Sequence, residues 1–258
     1  MDAEVKPMKS TIIVLISAVI MTHPLSHASA VDDNVNAVDH KLFDELLKKH
    51  VAYGVVDYGG FKKEEAVLDD YLRMMETVEV DDLSRNEQYA FYINLYNAWT
   101  IQLILTGYPG VESIKDMGSL FRKPWDKKIV RLKKGIVTLD YVEHEVLRPV
   151  FKDPRVHFAI NCAAKSCPPL RSEAYRGDIL EEQLDDSTIS FLNDPRENFL
   201  KGETLYISKI FDWFEEDFNG VKNFFLKYAR GDLKRQLESL GDRLETDHLK
   251  YDWSLNGR

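Results

Sequence analysis

The chain has 258 residues, 34 basic against 43 acidic, for a formal charge of −9; 44% are hydrophobic and 30% charged. That is globular composition, which excludes a disordered, collagen-like or disulfide-stapled miniature protein. The acidic balance argues against a general nucleic-acid binder, which needs a basic face to displace phosphate counterions, and two cysteines are too few for a disulfide framework.

Residues 1–30 read as an address. Lys6 and Lys9 precede an apolar run from Thr11 to Met21, and Ala28-Ser29-Ala30 follows as a small-residue cleavage site. This is the layout of a secretory signal peptide. The run is about eleven residues, short of the roughly twenty that span a bilayer; an uncleaved anchor is the competing reading. No later segment is apolar enough to cross a membrane. The mature chain is expected to start near Val31, in a bacterial periplasm or outside the cell. A loose lead-in over 31–39 then precedes a single globular domain over 40–258.

The spacing of His40, Phe43, Leu46, Leu47 and Val51 predicts a helix, and Val56 to Gly60 reads as a turn with two free glycines. Glu64 to Val78 returns to helical period. Ser84, with Glu87 three residues on, is a capping-box start. The helix it opens runs to near Gly107 and is apolar on nearly every side, which marks it as the central buried helix. Ile129–Leu132 and Ile136–Thr138 flank a Lys-Lys-Gly turn and predict a hairpin. Thr138 caps a short helix expected to stop before Pro149. Val156 to Asn161 reads as a buried strand. Asp178 and Glu181 form a second capping-box start, for a helix to about Leu192. Leu205–Ile207 predicts a strand, 211–218, 221–228 and 233–240 are helical, and 249–253 closes as a strand. The sum is a helix-rich α+β domain with a small sheet.

Both cysteines lie between Asn161 and Pro168. Cys162 sits where the expected strand meets a small-residue turn, a place where rigid backbone can hold a nucleophile beside open space. A neighbouring base or a positive dipole would lower its pKa. Three other readings stay open. Cys162 and Cys167 form a disulfide around a four-residue loop, Cys162 is a small buried hydrophobe, or the pair binds zinc with His144 and His157. Of the five histidines in the mature chain (His40, His50, His144, His157 and His248), His144 and His157 are the candidate bases. Glu143 or Asn97 is the candidate to orient the imidazole, and amides of the Cys162 loop would stabilise an oxyanion. Asn94 and Asn97 share a face of the central helix and would brace backbone or bind substrate. Arg148 and Arg155 could clamp a carboxylate, or merely form ion pairs. The aromatic residues at 211–218 and 224–228 read as core packing. No phosphate loop, Gly-x-Ser-x-Gly elbow or His-Glu-x-x-His is present. No cofactor or resident metal is therefore expected.

Several strings together resemble one family, the domain of unknown function 547. They are Phe91-Tyr92-Ile93-Asn94-Leu95-Tyr96-Asn97-Ala98, Val142-Glu143-His144 with Leu147-Arg148, and Asp153-Pro154-Arg155-Val156-His157-Phe158-Ala159-Ile160-Asn161-Cys162. Ser208-Lys209-Ile210-Phe211-Asp212-Trp213-Phe214 and Tyr251-Asp252-Trp253-Ser254-Leu255-Asn256 continue the match, so the resemblance runs from about residue 42 to 256. It implies a single-domain fold, often exported, with the polar positions above as its signature, and it supplies no substrate. By analogy the Cys, His and Asn set suggests a papain-like or transglutaminase-like thiol enzyme, although chain order does not match. Two functions are expected. One is a periplasmic cysteine-dependent hydrolase or acyltransferase on amide or peptide-like substrates. The other is a non-catalytic periplasmic binding domain stapled by Cys162–Cys167. Either takes a small molecule or peptide.

Overall fold

Residues 37–119 and 122–257 are described by the computed structural model; the expected leader and its cleavage site fall outside them. The chain opens with α1 (Lys41–His50), a tiny hairpin of β1 (Val51–Ala52) and β2 (Val55–Val56), and α2 (Tyr58–Lys63). The glycine turn expected at 56–60 is instead the start of α2. The Asp57 side chain accepts the Gly60 amide and winds the chain into a helix. Gly60 is required by contact, because a Cβ there would run into the His50 ring. Next come α3 (Glu65–Thr77) and α4 (Arg85–Leu105), the central helix. Ser84 caps α4 by accepting the Glu87 amide. The Glu87 carboxylate, which would have completed the box, accepts the Val38 amide. Tyr96 and Asn97 are among the α4 residues buried on its several faces, as its all-round apolar pattern requires.

The hairpin of β3 (Lys128–Leu132) and β4 (Gly135–Thr138) forms as expected, and Thr138 caps the next helix by accepting the Tyr141 amide. That short helix departs from expectation. After α5 (Leu139–Tyr141), Val142–Phe151 winds as a π-helix with Pro149 inside it, and ends at Lys152 with φ 54°. The wider winding, a form that recurs at functional sites, carries the chain past a residue that has no amide to donate.

The expected strand at 156–161 is corrected. Pro154–Phe158 is a 3-10 turn, begun by Pro154 and by Asp153, whose carboxylate accepts the Arg155 amide. A buried apolar run reads the same for a strand as for an enclosed turn, and here the cap and the proline decide. The helix α6 (Leu180–Leu192) forms, but not from the box at Asp178. Asp178 pairs with Arg176 and Glu181 with Arg155, so neither caps it.

The last third holds the largest sheet. β5 (Phe199–Lys201) and β7 (Glu245–His248) flank β6 (Thr204–Ile207), the first antiparallel and the second parallel. Between β6 and β7 lie α7 (Ile210–Trp213), a 3-10 turn at Glu215–Phe218, α8 (Val221–Tyr228) and α9 (Gly231–Leu240). The strand expected at 249–253 falls earlier, as β7. The fold class is the expected α+β, helix-rich with small sheets. Among the described residues no helix is long and apolar enough to cross a membrane.

Two apolar clusters make up the core. The larger surrounds α4 and takes in Phe43, Phe61 and Tyr71. The smaller is aromatic, built on Phe158, Phe191, Phe211, Phe218 and Phe225. The 3-10 turn stitches them, since Val156, Ala159 and Ile160 belong to the first and Phe158 to the second. His157 is thereby held between the two.

Candidate functional site, an aromatic cleft beside a disulfide

The segment after the 3-10 turn is fixed by asparagines. The Asn97 side chain donates to Ala159 O (3.0 Å) and accepts the Asn161 amide (2.8 Å). The Asn161 side chain donates to Pro168 O and accepts from the Ala163 amide and from Asn256. Asn256 also accepts the Tyr58 hydroxyl. Asn94 holds Tyr175 through both its amide and its carbonyl. Buried amides are tolerated when every donor and acceptor is used. The expectation that Asn97 orients an imidazole is corrected: its amide is engaged with main chain.

This frame fixes the cysteine loop. Cys162 and Cys167 are joined in a disulfide, so no free cysteine remains among the described residues. Neither sulfur is a thiolate that could attack a carbonyl or ligate zinc while that bond stands. The Tyr251 hydroxyl lies 3.2 Å from one sulfur and 3.1 Å from the other. Burial, followed by the Glu197 and Glu143 carboxylates, pushes the Tyr251 phenol well above its usual range. Ala163 is held at φ 60° and fully buried. Most of the loop amides expected to form an oxyanion hole are engaged. Cys162 N donates to Cys167 Sγ, Lys165 N to Ser254 O, Ser166 N to Asp252 O and Cys167 N to Ala164 O.

The disulfide forms part of the wall of a cleft of about 780 Å³ that also receives Glu143, His144 and His157. Three of the residues singled out from sequence thus meet the cysteines in one place. His157 is buried, stacked on Phe214 at 4.1 Å, and its Nε2 lies 2.7 Å from Asp217 Oδ2. Burial opposes charge on Asp217. Hydrogen bonds from His157 and Arg148 outweigh it and hold the carboxyl well below the usual range. An ionised Asp217 only accepts, so His157 carries its proton on Nε2 and leaves Nδ1 as its basic nitrogen.

His144 is differently placed. Its Nδ1 lies 2.8 Å from Arg148 Nη1, and its Nε2 is 3.7 Å from Asp140. A guanidinium can only donate, so the Nδ1 lone pair is taken and the proton of neutral His144 sits on Nε2. No lone pair is left for general-base work while that bond lasts. Arg148 also grips Asp217 and Glu216 and lies over the Phe214 ring. Arg155 is locked among Asp153, Glu181 and Asp185. Both arginines, weighed as carboxylate clamps for a ligand, are occupied by the protein's own acids.

Sequence reasoning missed Asp217 and the aromatic wall. Trp213, expected in the core, is 43% exposed and stacks on Trp253 at 5.6 Å. Tyr251 lies 4.5 Å from Trp253, and Trp125 meets Trp253 edge-on at 5.8 Å. A helical spacing of aromatics cannot say which ring is turned outward, and Trp125 lies in a separate short turn. Glu143 reaches the cleft from the π-helix, where its carboxylate accepts the Tyr96 hydroxyl at 3.0 Å. Among the described residues no group of three or more His, Cys, Asp or Glu is arranged to hold a metal ion.

No curated protein and no solved structure matches the chain. A family model matches residues 80–192, a span that includes α4, the π-helix, the cysteine loop and α6 but not Asp217 or Tyr251. That family is described as "Protein of unknown function, DUF547"; the three strings that fall within the span, those beginning at Phe91, Val142 and Asp153, agree with it, and the match supports assigning residues 80–192 to the domain of unknown function 547.

Proposed function

We propose that the chain is an exported ligand-binding domain, with the aromatic cleft as its binding site and Cys162–Cys167 as a structural staple in the cleft wall. The observation that carries this reading is the bond between the two sulfurs, which removes the only thiols from the cleft. The engaged loop amides and the occupied His144 and Arg148 point the same way. The N-terminal leader pattern supports export to an oxidising compartment, where such a staple persists. A cleft with an apolar wall and a few polar groups is the ordinary form of a small-molecule site.

One observation favours a second reading. His157, backed by Asp217, lines the same cleft as Cys162, so reduction by a dithiol would place a free sulfhydryl and an oriented imidazole together. The two readings part on one experiment. The purified mature protein is treated with iodoacetamide, with and without dithiothreitol, and each cysteine is read by peptide mass. The binding-domain reading expects no alkylation until reductant is added. Rapid alkylation of Cys162 in unreduced protein near neutral pH would overturn it in favour of thiol chemistry.

A further inference from the structure

Of the three carboxylates that line the cleft, Asp126, Asp140 and Glu143, two have no paired cation among the described residues, and Glu143 is the one withdrawn from solvent. Asp217 has Arg148 and His157, and Asp140 has His144 within 3.7 Å. Asp126 accepts the Lys123 main-chain amide and is exposed, so water solvates its charge. Glu143, half-buried in the cleft wall, accepts only the Tyr96 hydroxyl, and no Lys, Arg or His of the described residues pairs with it within 4.0 Å. A carboxylate withdrawn from water is stabilised by an opposite charge, and an unfilled pairing in a cleft points to the charge of its ligand.

The aromatic wall adds an attraction for positive charge. Trp213, Tyr251 and Trp253 lie within 4.5 to 5.6 Å of one another. Such faces attract cations through the ring quadrupole. One of them already does so, since the Lys115 ammonium sits 4.0 Å over the Trp253 ring. Trp213 is exposed over 43% of its surface. The bases that also line the cleft, Lys115, Arg122 and Lys123, are exposed at its mouth, where salt screens them.

We propose that the cleft binds a small organic cation of the quaternary-ammonium kind, its charge set against Glu143 and its alkyl groups against Trp213, Tyr251 and Trp253. This rests on the binding-domain reading and names the ligand class. The test is calorimetric titration of the oxidised protein with choline and with 3,3-dimethyl-1-butanol, an uncharged molecule of the same shape. Wild type, Glu143→Gln and Trp213→Ala are compared. Gln keeps an oxygen to accept from Tyr96, and Trp213 is exposed, so both variants are expected to melt as wild type does. The expected result is choline binding about tenfold or more tighter than the neutral molecule, with a loss of about tenfold in each variant. Equal binding of the two molecules, or choline binding unmoved by both variants, overturns the proposal, as does silence of both molecules at tens of millimolar. None of these outcomes touches the binding-domain reading, which fails only if Cys162 is alkylated without reductant.

Discussion

At the scale of single residues, His40 and Asn97 show what burial demands of a polar side chain. His40 is buried with Nδ1 2.7 Å from the Tyr71 hydroxyl and, among the described residues, no partner for Nε2. Burial lowers its pKa to about 4, against the opposing pull of Asp39 and Asp44. Between pH 4 and 6.5 the unfolded chain therefore binds a proton that the native state refuses. Stability is unaffected by this group above that window and falls as pH is lowered through it, by about 3 kcal/mol in all. In urea titrations at pH 7 and pH 5, His40→Gln is expected to lose less stability on acidification than wild type does; equal losses would sink the claim. Asn97→Ala orphans the Ala159 carbonyl and the Asn161 amide at once. It is expected to cost about 2–4 kcal/mol by denaturant melting, and a loss under half that would mean that water replaces the side chain. Asn94 and Asn97 of the central helix stood out in the sequence because an amide amid aromatics needs partners. His40 did not, since its place at the start of a helical pattern says nothing about its second nitrogen.

At the scale of elements, the cysteine loop is held twice. The disulfide closes a short ring, with a sequence separation of 5. Chain-entropy arguments give so small a ring only about 2 kcal/mol. Independently, Ser254, Leu255 and Asn256 bind the loop backbone at Ala163, Ala164 and Lys165. The double variant Cys162→Ser/Cys167→Ser is therefore expected to fold and to lose roughly that amount, measured by denaturant midpoint without reductant. Complete unfolding would show that the strand contacts do not hold the loop unaided. The helices α1, α3, α4, α8 and α9 and the β3–β4 hairpin were legible because their periods and caps are local. The 3-10 turn before Cys162 was not, because a run buried on every side has no polar face to reveal its period. The π-helix was hidden by Pro149, which ordinarily stops a helix.

On the scale of the whole molecule, the cleft draws on segments far apart in the chain. Glu143 comes from the π-helix, His157 from the 3-10 turn, Trp213 from α7, and Tyr251 and Trp253 from the segment after β7. This is why the sequence could name Cys162, His144, His157 and Glu143 as candidates but not Asp217 or the aromatic wall, whose relation to them exists only after folding. A chain cut after Lys250 is expected to keep most of its helical circular dichroism. It should lose the slow hydrogen exchange of the Lys165 and Ser166 amides, which donate to Ser254 and Asp252. Unchanged protection in the shortened chain would contradict this account. Asn161 and Asn256 are 95 positions apart and share a hydrogen bond. During synthesis the cysteine loop is thus made long before the residues that will clasp it leave the ribosome. The pocket cannot be completed until Tyr251 and Trp253 have emerged, and until then its two sulfurs travel on an unclasped segment, open to whatever thiol chemistry the surroundings allow.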